Sequence, residues 1–208
     1  MQFTRRTLIA TACATVVSLG FMGKAEAKIV DTETALQDIV MGKADAPVEI
    51  IEYASLACPA CRHFHENIFS IIKTEYIDTG KVKFIYRDFP TNTPALAAAM
   101  ISRCAGPDRH AGMVDIFFDT QSQWERSENP LQALTMVARM AGIGPTEVDE
   151  CIKNSELMNG IQNNAKKANE EKGVAATPTV FVAGKMSEHG MDLEKLKKEI
   201  DEAIKAAM

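Results

Sequence analysis

Two cysteines separated by two residues are the most chemically informative feature of this chain. Cys58 and Cys61 enclose Pro59 and Ala60 in a C-x-x-C motif. The apolar run before it, Val48–Ala54, is typical of a strand, and the residues after it have helical spacing. A thiol at a helix N-terminus faces unpaired backbone N–H groups and the positive end of the helix dipole, which favour the thiolate. The motif therefore predicts a reactive cysteine pair.

Other uses of a C-x-x-C motif fit these residues less well. A c-type haem needs histidine directly after the second cysteine, and Arg62 stands there. His63 and His65 are near enough in sequence to suggest zinc, but ligands from one helix would not converge on a tetrahedral point. A structural disulfide across two residues would be a strained, exposed ring. We therefore interpret Cys58 and Cys61 as a redox pair and predict no metal.

The N-terminus has the pattern of an export signal. Arg5 and Arg6 supply positive charge, residues 7–21 are almost uncharged and mostly apolar, and Ala25-Glu26-Ala27 is a small-residue cleavage site. We expect residues 1–27 to be a signal peptide, cleaved after Ala27, that directs the protein to the periplasm. An uncleaved N-terminal anchor is the alternative.

Composition excludes several classes of protein. The chain has 208 residues and a formal net charge of −5, which argues against nucleic acid as a partner. After the signal segment, no apolar run is long enough to span a bilayer. Removal of Cys13 with that segment leaves an even number of cysteines, in a compartment where disulfides persist.

The first half of the chain predicts a strand–helix–strand unit. The strand at 48–54 leads into a helix from Pro59, and Val82–Arg87 reads as the next strand. Such a unit implies a parallel pair with a right-handed crossover. Before it, residues 35–40 form either a short helix or an edge strand.

Residues 92–171 are predicted to be helical throughout. The helices are expected at 95–104, 110–121, 130–141, 145–153 and 156–171. A strand follows at Thr179–Val182, then a turn and a short strand near Met186. Asp192 caps a final amphipathic helix, whose apolar face consists of Leu193, Leu196, Ile200 and Ile204.

The motif at a strand–helix junction, together with Thr177-Pro178-Thr179 before a late strand, resembles the thioredoxin fold. With the export signal and the helical block, Lys28–Met208 resembles the DsbA family of thiol:disulfide oxidoreductases. The resemblance implies an α/β thioredoxin fold with an inserted all-helical subdomain. Residues 28–91 and 172–208 would then form the thioredoxin part, and 92–171 the insertion.

The resemblance also implies a substrate site. In the family the proline that matches Pro178 follows a cis peptide bond and lies against the active-site disulfide. Pro59 and Ala60 would line a groove with Thr177 and Pro178, where an extended chain pairs through its backbone. Without the resemblance, Pro178 would be read as a trans proline at the start of a strand.

Three residues are expected to carry the chemistry. Cys58 lies nearest to solvent and is predicted to be the nucleophile, while Cys61 lies one turn inside the helix and is the resolving thiol. Glu52 matches the family's buried carboxylate, and desolvation there favours the protonated form. It could exchange a proton with Cys61, although it could also be an ordinary half-buried strand residue.

Cys104 and Cys151 lie in the helical block. In an oxidising compartment we expect a structural disulfide between them. It would close a loop of about 48 residues and contribute up to roughly 4 kcal/mol in the chain-entropy model. Two separate buried thiols are the alternative.

Several other side chains are expected to be structural. Arg62 and His63 are interpreted as solvated helix residues, and His110 and His189 as surface residues. The methionines of the helical block are expected to fill its core; they are Met136, Met140 and Met158.

The predicted protein is an enzyme, a dithiol oxidase without a cofactor. It would donate the Cys58–Cys61 disulfide to reduced, unfolded exported proteins and be reoxidised by a membrane quinone-linked, DsbB-like partner. We expect a monomer. Ala60 stands where the family's strongest oxidants carry histidine, so we expect a weaker oxidant. An isomerase or reductase of the same fold is the alternative, followed by an envelope protein that handles a soft metal such as Cu(I).

Overall fold

The computed structural model describes residues 29–207, in which the strands form one mixed five-stranded sheet of order β1-β3-β2-β4-β5. The strands are β1 (Val40–Met41), β2 (Val48–Ala54), β3 (Val82–Asp88), β4 (Thr179–Val182) and β5 (Lys185–Met186). β2 and β3 are parallel, as predicted, and the other neighbouring pairs are antiparallel. The predicted signal peptide, with Cys13 and the cleavage site after Ala27, lies outside the described residues.

β2 is the central strand of the sheet and is buried along nearly its whole length. Its side chains alternate between the two faces. Ile50 and Ala54 belong to the main apolar core, whereas Ile51 and Tyr53 belong to a smaller cluster on the opposite face. Glu52 is in phase with Ile50 and Ala54, so a carboxyl group lies on the main-core face.

The helix after β2 is continuous but not regular. It begins as α2 (Pro59–Phe64), passes through a π-helical turn (His65–Phe69), continues as α3 (Ser70–Ile72) and ends in a second π-helical turn (Lys73–Ile77). The spacing of the apolar residues predicts one buried face, made of Cys61, Phe64, Ile68, Ile71 and Ile72. All of these except Ile71 are buried. Ile71 is half-buried.

The short helix and the edge strand considered for residues 35–40 both occur in this part of the chain, with different bounds. A short helix, α1 (Thr32–Leu36), is capped by Asp31, whose carboxylate accepts from the Thr34 N–H at 2.8 Å. The edge strand β1 follows and pairs with β3. Since each element is short, the sequence pattern could not separate them.

The chain between β3 and β4 is helical, close to the predicted boundaries. The helices are α4 (Thr93–Cys104), α5 (Pro107–Asp119), α6 (Gln121–Trp124), α7 (Pro130–Met140), α8 (Pro145–Lys153) and α9 (Ser155–Lys172). Asn92, Asn129 and Asn154 cap α4, α7 and α9. The single helix predicted for 110–121 begins earlier, at Pro107, and α6 is separate from it. No described helix is long and apolar enough to cross a bilayer.

The last helix, α10 (Leu193–Ala207), agrees with its prediction. Asp192 accepts from the Lys195 N–H at 3.2 Å and caps it. Leu196 and Ile200 are fully buried against the sheet, because they fall on one face at a spacing of four residues.

The surface position predicted for His110 is wrong. Its side chain is 1% exposed, and Nδ1 lies 2.8 Å from the Ser102 hydroxyl. Burial, with a smaller effect from the charge of Arg103, lowers the pKa of His110 to about 4. α5 packs its buried face on α4, so a histidine in that face becomes a neutral core residue. His189 is half-buried.

The core position predicted for two methionines is also wrong. Met136 and Met140 are 64% and 70% exposed. Leu134 and Val137 define the buried face of α7, and Met136 and Met140 lie outside it. Met158 is partly buried and packs against a smaller apolar cluster.

That smaller cluster surrounds the disulfide between Cys104 and Cys151, which joins α4 to α8. Both cysteines are buried and their Cα atoms are 6.1 Å apart. The bond lies in the helical block, away from the C-x-x-C motif.

Arg103 connects three parts of the fold from a buried position. Its Nε donates to Asp88 Oδ2 at 2.6 Å, and Nη1 donates to the Gln37 carbonyl at 2.7 Å. Nη2 donates to the Tyr86 carbonyl at 3.3 Å. One guanidinium from α4 thus holds β3 and the chain before β1.

Replacement of Arg103 by methionine should therefore destabilise the protein strongly. Arg103→Met leaves Asp88 as a buried, unpaired carboxylate, and we expect a loss of about 3–5 kcal/mol in the free energy of unfolding. Urea denaturation measures it. Lys153→Met, which breaks an exposed pair with Asp149, is the control and should cost at most about 1 kcal/mol. Equal losses in the two variants would contradict the role given to Arg103.

Candidate active site

Cys58 stands at the junction between β2 and α2. The strand ends at Ala54, and Cys58 occupies the cap position before the first helical residue, Pro59, whose missing N–H costs nothing there. The Cys58 carbonyl accepts from the Arg62 N–H at 3.1 Å and closes the first turn. Cys58 and Cys61 are both present as thiols.

The surroundings of Cys58 favour its thiolate. They lower its pKa to about 5, from the usual 9.0. The hydrogen bond with the Cys61 thiol is the largest cause, partial burial opposes it, and the Thr177 side chain and the backbone N–H groups of Cys61 and Ala60 add to the lowering. These donors are aimed at the place where negative charge develops when the sulfur ionises.

Cys61 is in the opposite situation, although it lies one turn away. Its side chain is fully buried. Burial raises its pKa far above the usual value, and the neighbouring Cys58 and Glu52 raise it further. Cys61 is therefore a neutral thiol, and a thiolate formed at this position must take up a proton.

The second part of the site comes from β4. This strand runs antiparallel to β2, with Thr179 opposite Tyr53, so the residues before it lie beside Cys58. The Thr177–Pro178 peptide bond is cis. The Cys58 thiol donates to the Thr177 carbonyl at 3.3 Å.

The residues predicted to bind substrate therefore surround one half-buried sulfur. Pro59 and Ala60 are exposed, and Thr177 and Pro178 are half-buried. The structure brings these four together with Cys58, and it leaves the Cys104–Cys151 disulfide elsewhere in the fold.

Glu52 has a partner that the sequence analysis missed. Its carboxyl is fully buried, and Oε2 lies 2.8 Å from Nε2 of His65. The His65 ring packs between Phe69 and Phe118, at centroid distances of 4.8 and 4.5 Å. A signal was present, because His65 is four residues after Cys61 and so falls on the same helix face.

Gln121 is a second residue that the sequence did not indicate. It is buried, and its Nε2 donates to the carbonyls of Leu56 and Cys58, at 2.7 and 3.1 Å. Its amide thus ties α6 of the helical block to the loop that carries the nucleophile. A single glutamine at the start of a short helix belongs to no sequence pattern that predicts this contact.

The remaining candidates lie outside the site. His63 is exposed, and Arg62 is partly exposed and pairs with Glu66 at 3.4 Å. Among the described residues, no group of three or more His, Cys, Asp and Glu side chains is arranged to hold a metal ion.

Comparison with known proteins places this geometry in a family. The family model described as thioredoxin matches residues 34–202. The chain belongs to the thioredoxin family. A protein named as a protein-disulfide oxidoreductase in Rickettsia bellii is 30% identical over 80% of this chain and 64% of its own length. Disulfide bond formation protein D of Bacillus subtilis is 26% identical over 80% of this chain and 77% of its own.

Solved structures confirm the predicted fold class and the resemblance to DsbA proteins. The α-DsbA1 structure of Wolbachia pipientis has a TM-score of 0.76 and 29% identity, and covers 82% of this chain and 92% of its own. Oxidised BdbD of Bacillus subtilis shares the fold, with 24% identity and a TM-score of 0.74. The match covers 88% of this chain and 100% of that one. The chain spans just under two thirds of the length of the Rickettsia relatives.

Alkylation should reveal the difference between the two thiols. In the reduced protein, the rate of Cys58 carbamidomethylation by iodoacetamide should rise with pH around a midpoint of about 5, because the thiolate is the reacting form. Cys61 should stay unmodified until the protein is unfolded. Mass spectrometry of quenched samples follows both sites. A midpoint near 9, as for an unperturbed thiol, would contradict the assigned environment.

The contact made by Gln121 should hold the junction loop. Gln121→Met keeps the size of the side chain but removes the donor to the Leu56 carbonyl, while the Cys58 carbonyl keeps its bond from the Arg62 N–H. We expect a cost of about 1–3 kcal/mol in unfolding free energy. We also expect a changed rate of Cys58 alkylation. Gln123→Met, an exposed glutamine of the same short helix, is the matched control and should change neither quantity. Identical behaviour of the two variants would contradict the role given to the Gln121 hydrogen bonds.

Proposed function

We propose that this protein is a thiol:disulfide oxidoreductase of the DsbA type that introduces disulfides into exported proteins. The observation that carries the proposal is the asymmetry of the Cys58–Cys61 pair. One sulfur is accessible and stabilised as a thiolate, and the other is buried and neutral, beside the cis Thr177–Pro178 bond.

The reaction is an exchange of disulfides. A thiolate of the substrate attacks the Cys58 sulfur, the Cys58–Cys61 bond breaks, and its electron pair passes to Cys61, which takes up a proton. A second substrate thiolate then attacks its partner sulfur in the mixed disulfide and releases Cys58 as a thiolate. The substrate is oxidised by two electrons and the enzyme is reduced.

Substrate is held by backbone pairing rather than by a specific pocket. Pro59, Ala60, Thr177 and Pro178 border the nucleophile and form the groove. An extended chain can pair with a free backbone edge without sequence preference, which suits a catalyst that acts on many unfolded proteins.

The proposed cycle requires export of the protein and an oxidant for its Cys58–Cys61 dithiol. We propose that residues 1–27 direct export to the periplasm and are cleaved after Ala27, and that a DsbB-like membrane protein reoxidises the Cys58–Cys61 dithiol. The protein is proposed to act as a monomer. Residues 28–91 and 172–208 form its thioredoxin part, and 92–171 form the helical insertion.

An isomerase or reductase is the second candidate, and the pair Pro59-Ala60 favours it. Any interaction that stabilises the Cys58 thiolate stabilises the reduced enzyme and makes its disulfide more oxidising. Ala60 contributes a backbone N–H but no side-chain charge. The donors around Cys58 still hold its pKa far below the usual value, and this supports net oxidation.

The decisive measurement is the reduction potential of Cys58–Cys61 against glutathione. We expect a value between about −120 mV, that of the strongly oxidising DsbA, and about −270 mV, that of thioredoxin. The oxidised protein should also convert a dithiol peptide to its disulfide. A potential at or below the thioredoxin value would support the reductase instead.

Two serine variants define the roles of the sulfurs. Cys58→Ser should abolish peptide oxidation, because no disulfide can form. Cys61→Ser should lack turnover but accumulate a mixed disulfide between Cys58 and an activated disulfide peptide, visible by mass. Normal peptide oxidation by Cys58→Ser would refute the function proposed here.

A further inference from the structure

The proton needed by Cys61 has few possible sources in this fold. When the disulfide opens, the buried Cys61 sulfur receives an electron pair and must be protonated. Glu52 is close enough for its charge to raise the pKa of the Cys61 thiol. It is itself fully buried, in the β2 position opposite Tyr86.

The other ionisable groups around this centre are poor donors. Burial raises the pKa of Tyr86, on β3, well above its usual value. His110 of α5 is neutral at physiological pH. Arg103 of α4 is held in its pair with Asp88 of β3, at 2.6 Å. Asp115 of α5 has an exposed side chain, and partial burial raises the pKa of its carboxyl.

The two oxygens of Glu52 are in different situations. Oε2 is bonded to His65 Nε2 at 2.8 Å, whereas Oε1 is buried and has no partner among the described residues. A buried oxygen without a donor is costly to keep charged, so Oε1 is the oxygen of Glu52 that can hold and release a proton.

The tautomer of His65 follows from its other nitrogen. Nδ1 is buried and also lacks a partner among the described residues. An unpaired N–H at Nδ1 would cost more than an unpaired lone pair, so the ring proton belongs on Nε2, where it points at the Glu52 carboxyl. Phe69 and Phe118 hold the ring in this orientation.

We infer that His65 is the positioning residue of this redox centre: its Nε2–H holds one oxygen of Glu52 and stabilises the carboxylate that remains after the other oxygen has given its proton to Cys61. A hydrogen bond to the charged form favours that form. When Cys58 and Cys61 are reoxidised, the Cys61 proton returns to Glu52 as the sulfur–sulfur bond forms. This inference rests on the proposed disulfide exchange and deepens it.

Two replacements of His65 separate the donor from the ring. His65→Phe keeps an aromatic ring between Phe69 and Phe118 but removes the donor. His65→Gln carries a side-chain N–H at a similar distance from the backbone. His63→Gln, on the exposed side of the same helix, is the matched control.

The rate at which dithiothreitol reduces the Cys58–Cys61 disulfide is the first readout. We expect at least about a tenfold loss in His65→Phe, since general acid assistance contributes about 10²–10⁴. His65→Gln should recover most of the rate, and His63→Gln should equal the wild type. The alkylation midpoint of Cys58 should stay unchanged throughout. A wild-type rate in His65→Phe, or equally slow reduction by both His65 variants, overturns the inference.

A second readout uses the unaltered protein. Infrared difference spectra of reduction should show the loss of a protonated carboxyl band, identified as Glu52 by its absence in Glu52→Gln, together with the gain of a thiol band from Cys61. A carboxyl band that does not change on reduction overturns the inference even if the His65 variants fail to fold.

The two proposals can fail separately. A protein that does not oxidise dithiol peptides, but whose disulfide is reduced more slowly in His65→Phe than in His65→Gln, would refute the oxidase function and support the role of His65. A protein that oxidises peptides while the Glu52 band stays unchanged would refute the role of His65 alone.

Discussion

The difference in solvation between two sulfurs on one helical turn is the constraint on which this structure depends. Cys58 caps the helix, where backbone N–H groups face it, and Cys61 is buried in the main core. The same turn therefore offers one sulfur that is stable with a negative charge and one that is not. In the proposed exchange, opening of the bond therefore has a direction. The electron pair of the first step goes to the buried Cys61 sulfur, and that of the second stays on the half-buried Cys58 sulfur.

The sheet and the helical block provide this contrast together. β2 places Glu52 below the helix, and its antiparallel neighbour β4 brings Thr177 against Cys58. From the other side, α6 contributes Gln121, which binds the loop between strand and helix. The main apolar cluster contains residues from both parts, so the block is packed onto the redox centre and is not merely a cover for it.

The sequence was sufficient for the elements and for the cysteine pair, because both rest on local patterns. The strand before Cys58, the apolar helix face behind it and the Pro residues at helix starts can each be read within a few residues. Contacts between distant segments could not be read in this way. Gln121 meets the Cys58 carbonyl across 63 residues, and His110 is buried because α5 lies on α4. The exposed Met136 and Met140 show the converse, since hydrophobicity alone does not say which side of a helix is covered.

Ala60 affects how the reactivity of Cys58 depends on pH. The dipeptide between the cysteines, Pro59-Ala60, contains no group that titrates, and the donors that stabilise the Cys58 thiolate are a thiol, the Thr177 side chain and backbone N–H groups. The reactivity of the exposed sulfur should therefore respond to pH only through its own ionisation. In the cycle proposed above, proton transfer is assigned to the buried pair of Glu52 and His65. The nucleophile therefore caps α2, whereas the carboxyl proposed to store the proton lies on β2 below that helix.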